Sequence, residues 1–332
     1  VRAMAASILV YSIFTGLIYF AQLPWHLCAA RFMGALGMGG EWSLGIALVM
    51  EVWPEKHRPL MAGVIGAAAN VGFAMIAIVA IFFKVTVDSW RWVALIGAAP
   101  ALLTFVVRLF VPESEKWQAA VKASPTKIQP IKEIFGPTMW KTTLLASALS
   151  SVALIGTWGS VQWLPLWADQ MAGASDPTAK GWTGMSSGIG AVVGCLLGAY
   201  IGGFISRRVA YFALSLGSLI SCAILFRGFD SYGPAFLMMT FIVGGLTAAF
   251  YGWLPLYLPE LFPTRVRATG QGLSFNSGRI FAAIGALQMG ALMQNTFHGS
   301  YAQAGAVITL VYVIGMVIIW FAPETKGKPL PA

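Results

Sequence analysis

Long apolar stretches constrain this chain more than any other feature of its sequence. A helix needs about 20 mainly apolar residues to cross the hydrocarbon core of a membrane, and ten stretches approach or exceed that length. They are 3–22, 27–50, 60–83, 91–111, 142–167, 185–205, 210–226, 234–258, 270–293 and 301–322. Most are apolar around the whole helix circumference, which is typical of helices buried in protein or lipid. The sequence therefore predicts an all-α membrane protein with ten spans.

Lysine and arginine are distributed unevenly between the two ends of these spans. If successive spans alternate in direction, 14 of the 21 basic residues fall on the side that carries residues 112–141, four fall on the other side and three lie within spans. By the positive-inside rule, this bias predicts a multi-pass protein of the cell (inner) membrane with both termini in the cytoplasm. The net charge of +9 is then an orientation signal, and we expect contact with membrane lipid and no nucleic-acid partner.

Residues that carry catalytic or metal chemistry are scarce and scattered. The three cysteines, Cys28, Cys195 and Cys222, lie far apart in apolar runs, which argues against a disulfide framework and a zinc site. The three histidines have no second ligand at metal spacing. No span contains a nucleophile with a base or a pair of acids. We therefore predict a protein that is not an enzyme and that holds no metal or cofactor.

Two short motifs recur at nearly the same offset. The pattern E-x-x-P-x-x-x-R occurs at 51–58 and again at 260–267, and a Pro-Glu-Ser/Thr segment occurs at 112–114 and again at 323–325. Transporters are often built from internal repeats, and this offset aligns the first predicted span with the seventh. We therefore predict a parent of 6 + 6 helices whose first two helices are missing from this chain.

The repeat also divides the chain. Residues 1–111 form the predicted N-terminal half, with helices 3–6 of the parent, and 142–332 form the C-terminal half, with helices 7–12. Residues 112–141 contain five lysines and four prolines, a composition typical of a solvated linker.

Several segments resemble those of the major facilitator superfamily. The run 31–42, RFMGALGMGGEW, is similar to the fourth-helix signature of its proton-coupled members. Segments 259–270 and 323–327 resemble the sugar-porter and organic-acid-symporter branches, and the Gly-Gly-Glu-Trp run resembles the metabolite/proton and sialate/proton symporters. The resemblance implies a monomeric secondary active transporter that moves a small organic acid or sugar acid together with protons by alternating access.

Charged side chains within spans are energetically costly and are candidates for function. Glu41 lies near the middle of the stretch 27–50, and we predict that it carries the coupled proton, with a structural carboxylate paired to an arginine as the alternative. Arg31 is predicted to bind the anionic substrate or to partner the protonatable group. Arg279 is the predicted substrate site, because a guanidinium binds a carboxylate bidentately; the alternative is packing against the 323–325 segment. Arg108 is interpreted as an interfacial anchor.

Two further sets of residues follow from the resemblance. Aromatic and amide residues of the helices that line the family's cavity are expected to contact substrate: Asn70, Gln162, Trp163, Tyr251, Trp253, Asn276 and Gln288. Residues at the cytoplasmic helix ends are expected to form salt bridges that hold the outward-facing state: Glu51, Arg58, Glu113, Arg208, Glu260, Arg267 and Glu324. The family has a loop with an Asp between its helices 2 and 3, and the second half of this chain has the corresponding loop at 203–211. There Arg207 stands in the place of the Asp.

Three alternatives to proton symport stay open at this point. Within transport, the chain could be a sugar facilitator or a drug-type exporter, and accumulation of substrate against its gradient separates these from a symporter. A transporter-like solute receptor is the alternative outside transport.

Overall fold

The computed structural model describes residues 1–82, 89–99, 106, 110, 114–123 and 129–331, without the side chains of 76–82, 116, 120, 123, 285–292 and 294. Within these residues all regular structure is helical, as predicted. The α-helices are α1 (Arg2–Leu17), α2 (Pro24–Val52), α3 (Arg58–Phe82), α4 (Trp90–Gly97), α5 (Glu115–Ala123), α6 (Pro130–Ile134), α7 (Trp140–Gly159), α8 (Leu164–Ala172), α9 (Ala179–Phe204), α10 (Arg207–Gly228), α11 (Pro234–Leu261), α12 (Arg267–Asn295), α13 (Tyr301–Ile308) and α14 (Val311–Ile318).

Seven helical segments of the described residues are long and apolar enough to cross a membrane. They are Arg2–Phe20, Pro24–Val52, Trp140–Ser175, Ala179–Phe204, Arg207–Gly228, Pro234–Leu261 and Tyr301–Phe321. Helices α3 and α12 also coincide with predicted spans, whereas residues 100–105, 107–109 and 111 of the predicted span 91–111 lie outside the described residues. The all-α membrane class is therefore confirmed, while the count of ten spans, the 6 + 6 arrangement and the division into halves stay predictions.

The predicted span 142–167 is interrupted. Helix α7 ends at Gly159, a short 3-10 turn follows at Val161–Trp163, and α8 continues to Ala172. Pro165 lies in the first turn of α8, where its missing N–H would have no intrahelical partner in any case. The broken segment leaves the side chains near residue 160 at the wall of a cavity.

Glycine sets the distance between α9 and α11. Gly190, Gly194 and Gly198 lie four residues apart on one face of α9, and a methyl group on any of them would overlap backbone atoms of α11. Small residues at helix interfaces allow backbones to approach this closely in membranes. The two helices form the most extensive contact of the bundle.

Two seams join the helices that precede residue 112 to those that follow it. In one seam α2 packs against α12, and in the other α3 packs against α9 and α11. The largest apolar core is formed mainly by α7, α8, α10 and α11. A cavity opens between the two seams.

Candidate functional site

The cavity between the seams has a volume of about 540 Å³, within the range of small-molecule sites. Six helical segments contribute to its wall: α2, α3, the broken region from α7 to α8, α9, α11 and α12. Its polar and aromatic lining residues include Trp42, Asn70, Phe73, Thr157, Trp158, Gln162, Ser187, Thr247, Tyr251, Phe275 and Arg279.

Arg279 is the one charged side chain among the described residues that line this cavity. It lies twelve residues beyond Arg267, which begins α12, or about 18 Å along the helix axis. Its guanidinium stands over the Phe275 ring, with Cζ 5.0 Å from the ring centroid, and donates a 3.3 Å hydrogen bond to Asn276 Oδ1. Within the described residues it has no carboxylate partner. Arg279 therefore faces the cavity at mid-helix, and it does not pack against the 323–325 segment.

Aromatic rings frame the guanidinium. Trp42 of α2 stacks on Phe275 of α12 with ring centroids 3.8 Å apart and an interplanar angle of 16°. Tyr251 of α11 meets Phe275 edge-on at 6.4 Å. Neither Trp42 nor Phe275 was predicted as a site residue, although Trp42 belongs to the Gly-Gly-Glu-Trp run and Phe275 lies one helical turn before Arg279.

The structure brings four of the predicted substrate residues to the cavity: Asn70, Gln162, Tyr251 and Arg279. Trp253 instead lies fully buried beside Tyr211 and Tyr257. Trp163 stacks on Tyr301 away from the lining. The Asn276 amide is turned towards α2, and the side chain of Gln288 lies outside the described residues.

Glu41 lies beside the cavity but does not line it. Gly34, Gly37 and Gly40 mark the face of α2 that packs on α1, and Glu41 shares this face, four residues after Gly37. The side chain is half-buried and has no ion pair or hydrogen bond within the described residues. Arg31 lies ten residues before Glu41 in the same helix, nearer the start of α2. It is exposed and is likewise unpaired among the described residues. Glu41 and Arg31 therefore do not contact each other, as their spacing predicts.

One end of the bundle, which we name the charged end, contains Glu51, Arg58, Arg207, Glu260, Arg267 and Glu324. There the Glu51 carboxylate of α2 accepts a 3.0 Å hydrogen bond from Arg267 Nη1 of α12. The two side chains are 4% and 1% exposed. Ser114 Oγ also donates to Glu51, and Arg267 Nη2 donates to the carbonyl of Pro331 at 2.7 Å. This buried ion pair closes the α2–α12 seam at the charged end.

A second buried ion pair lies within the C-terminal part of the chain. Arg207 Nε and Nη2 donate to the two carboxylate oxygens of Glu260 at 3.0 and 2.8 Å, the bidentate geometry that arginine favours. Arg58 instead pairs with exposed Glu55 at 3.0 Å, and Arg208 Nε donates to the Ala322 carbonyl at 2.7 Å. Glu113 lies outside the described residues. Arg208 was predicted for a salt bridge here and Arg207 was not, because adjacent arginines cannot be ranked from spacing alone.

The segment that follows α14 fills the gap between the seams at the charged end. Leu330 packs against an apolar cluster that includes Ile46 and Met50 of α2 and Leu256 of α11. Thr264 Oγ1 donates to the Pro331 carbonyl at 3.1 Å. The cavity is therefore closed towards the charged end by an ion pair and an apolar plug.

Glu324 supplies a carboxylate at the N-terminus of α10, where the family's loop would have its Asp. It accepts hydrogen bonds from the backbone N–H groups of Arg207 at 3.0 Å and Arg208 at 3.3 Å, and also from Ser206 Oγ. Burial by itself would raise the pKa of Glu324, but these hydrogen bonds and one from the Lys326 N–H outweigh it and lower the pKa to about 2. The negative charge also interacts favourably with the helix dipole.

Replacing Glu324 with glutamine is expected to destabilise the protein by about 1 kcal/mol, the value of a charge at a helix terminus. Because the folded-state pKa lies below the ordinary value of 4.5, this stabilisation is complete above pH 4.5 and is lost as the pH falls towards 2. Thermal unfolding in detergent at pH 7 and at pH 4 measures the difference. Asp230→Asn, a change at an exposed loop carboxylate, is the matched control, and an equal effect of both changes would contradict the role of Glu324.

Comparison with known proteins gives consistent matches along the whole chain. A profile of the Major Facilitator Superfamily matches residues 1–286. A putative metabolite transport protein of Haemophilus influenzae is 29% identical, over 99% of this chain and 81% of that protein. A probable 4-methylmuconolactone transporter of Cupriavidus pinatubonensis is 27% identical, over 98% and 76%. The solved structure of the proton:xylose symporter XylE superposes with a TM-score of 0.79 at 16% identity, over 99% of this chain and 81% of that one.

Proposed function

The chain belongs to the Major Facilitator Superfamily, and from this premise we propose that it is a secondary active transporter that moves a small organic acid or sugar acid together with protons. It is a multi-pass membrane protein with a transporter fold and is not an enzyme. The proposal concerns the finer points, namely the charge of the substrate, the coupling ion and the direction in which the cavity opens.

The single observation that carries the proposal is the unpaired guanidinium of Arg279 in the cavity wall. A cation held away from water is costly unless it is neutralised, and the described lining offers no carboxylate to do so. An anionic substrate would complete the pair, with the planar guanidinium suited to bidentate binding of a carboxylate. The stacked rings of Trp42 and Phe275 would hold the apolar body of the same molecule.

Alternating access requires that the cavity opens to one side of the membrane at a time. The Glu51–Arg267 pair and the Leu330 plug close it at the charged end. The excess of lysine and arginine at this end supports its assignment to the cytoplasm. We infer that the structure corresponds to a state closed towards the cytoplasm and that both termini lie on that side.

Glu41 is the residue we propose for proton coupling. It is a half-buried carboxylate at mid-helix, without a neutralising partner among the described residues, and it directly follows Gly40, which packs on α1. Such a group gains from protonation when the surrounding helices exclude water. We propose that Glu41 takes up a proton from the outer side and that Arg31, nearer the end of the same helix, lies along the path of the proton.

The test is uptake into proteoliposomes that contain the purified protein. Labelled 4-methylmuconolactone, which carries one carboxylate, gluconate and neutral xylose serve as probes, with and without an imposed pH gradient. We expect gradient-dependent accumulation of one of the acids and none of xylose. Saturable uptake that never exceeds the equilibrium level would overturn symport in favour of a facilitator, and transport of xylose alone would overturn the anionic substrate.

Glu41→Gln is expected to abolish accumulation, because glutamine cannot release a proton, while exchange of labelled for unlabelled substrate at equal pH on both sides continues. Loss of more than about 90% of the accumulation ratio would match removal of the coupling group, since general acid–base groups contribute large factors to proton transfer. Glu115→Gln, at an exposed carboxylate of α5, is the control. Normal accumulation by the Glu41 variant would contradict its role.

A further inference from the structure

Asn276 was expected to contact substrate, but its side chain does something else. Its Nδ2 donates to the backbone carbonyl of Gly39 in α2 at 3.1 Å and to that of Gly272 in its own helix at 2.9 Å. Its Oδ1 accepts from Arg279 Nη1 at 3.3 Å. The Asn276 amide thus connects Arg279, which lines the cavity, to the backbone of α2 across the seam.

The other polar contacts of the α2–α12 seam lack this double connection. Arg267 pairs with Glu51 at the charged end, and Gln271 Nε2 donates to the Ser43 carbonyl one turn further along. Neither Arg267 nor Gln271 lines the cavity, and Gln271 Oε1 is buried without a partner. Among the described residues of this seam, Asn276 is therefore the one that joins the cavity lining to the backbone of α2.

Hydrogen bonds in such a chain strengthen one another. A guanidinium that donates to an amide oxygen polarises the amide and makes its N–H a better donor, an effect that increases in surroundings of low dielectric constant. The Gly39 carbonyl at the far end of the chain lies two residues before Glu41. The state of Arg279 can therefore act on the segment of α2 that bears the proposed proton carrier.

We infer that Asn276 is a positioning residue that makes the α2–α12 contact depend on whether Arg279 holds an anion. A carboxylate bound at Arg279 competes for the Nη1 donor, depolarises the Asn276 amide and weakens its hydrogen bond to Gly39. Occupancy of the cavity thereby loosens the seam beside Glu41, so that substrate and proton move in the same cycle. This inference rests on the proposed function.

The test compares Asn276→Leu, whose side chain branches at the same atom but has no hydrogen-bonding groups, with the unchanged protein in proteoliposomes. Exchange of labelled for unlabelled 4-methylmuconolactone or gluconate at equal pH measures binding and translocation. Uptake of protons that the same substrate induces, followed with a trapped pH dye, measures coupling. We expect the ratio of proton uptake to exchange to fall about tenfold, the effect of losing one hydrogen bond to a charged group, while exchange keeps its KM.

Ser277→Ala is the matched control, because Ser277 Oγ donates only to the Leu273 carbonyl of its own helix. A higher KM with an unchanged ratio of protons to substrate would show instead that Asn276 is a substrate contact. A parallel fall of both rates together with the melting temperature would show that its role is structural. Either result overturns the inference and leaves the proposed function intact, whereas absence of transport of every probe by the unchanged protein overturns the proposed function and the inference with it.

Discussion

Replacing Arg279 with glutamine is expected to lower kcat/KM for an anionic substrate at least about 30-fold. Loss of one partner of a desolvated, hydrogen-bonded charge pair costs about 2–5 kcal/mol, and each 1.4 kcal/mol is a factor of ten. Glutamine keeps part of the side-chain volume and a hydrogen-bond donor but removes the charge. Initial rates of labelled acid uptake into proteoliposomes, over a range of substrate concentrations, measure the effect.

Arg279→Lys separates charge from geometry. Lysine keeps the positive charge but cannot bind a carboxylate through a planar fork, so we expect activity between those of the glutamine variant and the unchanged protein. Arg227→Gln, at the exposed end of α10, should transport normally. Wild-type kinetics of Arg279→Gln would place the anion site elsewhere, and an equal loss in the Arg227 variant would attribute the effect to the net charge of the protein.

The positions of the helices could be predicted well because a helix that crosses lipid must be apolar over about 20 residues. Every backbone polar group of a span must be satisfied within the helix, so apolar length alone located α1, α2, α9, α10 and α11. Hydropathy alone does not locate the break between α7 and α8 within 142–167, because Ser160 and the following 3-10 turn are satisfied by local hydrogen bonds that leave the apolar pattern unchanged.

The site was predictable residue by residue only where charge made a residue conspicuous. Arg279 stood out because an arginine is rare within a span, and the structure places it in the cavity wall. Trp253 and Tyr251 are both aromatic residues of the same helix, and the sequence gives no reason to prefer either as a site residue. In the structure Trp253 is buried in the core between α10 and α11, whereas Tyr251 lines the cavity. Which side a residue faces depends on neighbouring helices that are distant in sequence.

For ion pairs, too, the repeat motif predicts which residues are involved but not which of them pair. It identified a glutamate and an arginine at 51–58 and again at 260–267, but spacing cannot tell which glutamate meets which arginine. In the structure Glu51 of the first copy pairs with Arg267 of the second, whereas Arg58 turns to Glu55 and Glu260 to Arg207. The cross pairing is thus one of the contacts that tie α2 to α12.

Glu51→Gln is expected to open the charged end. Removing one partner of a buried ion pair leaves the other charge uncompensated and costs about 3–5 kcal/mol. Arg267 would keep only its hydrogen bonds to the carbonyls of Pro259 and Pro331. A two-state equilibrium shifts about a hundredfold or more for such a change, so conformations closed at this end should become a minority.

The opening can be measured as a distance across the charged end. Spin labels at Lys56→Cys, which follows α2, and at Val209→Cys, in the first turn of α10, occupy exposed positions, with exposed Cys28 replaced by serine. We expect one narrow distance distribution for the unchanged pair and a longer, broader one for Glu51→Gln. An unchanged distribution would contradict the role of the pair as a closure.

A double variant separates opening from unfolding. Glu51→Gln combined with Arg267→Gln removes the uncompensated charge, so the melting temperature should recover towards that of the unchanged protein, whereas the charged end should stay open because the ion pair is still absent. Glu55→Gln removes an exposed carboxylate, 67% accessible, that pairs with Arg58 at the same end; surface pairs contribute about 0–1 kcal/mol, so distance and melting temperature should both hardly change. If the double variant closed again, the single variant would have opened through charge repulsion alone, and the closing contact would have to be sought in the packing of Leu330 between α2 and α11.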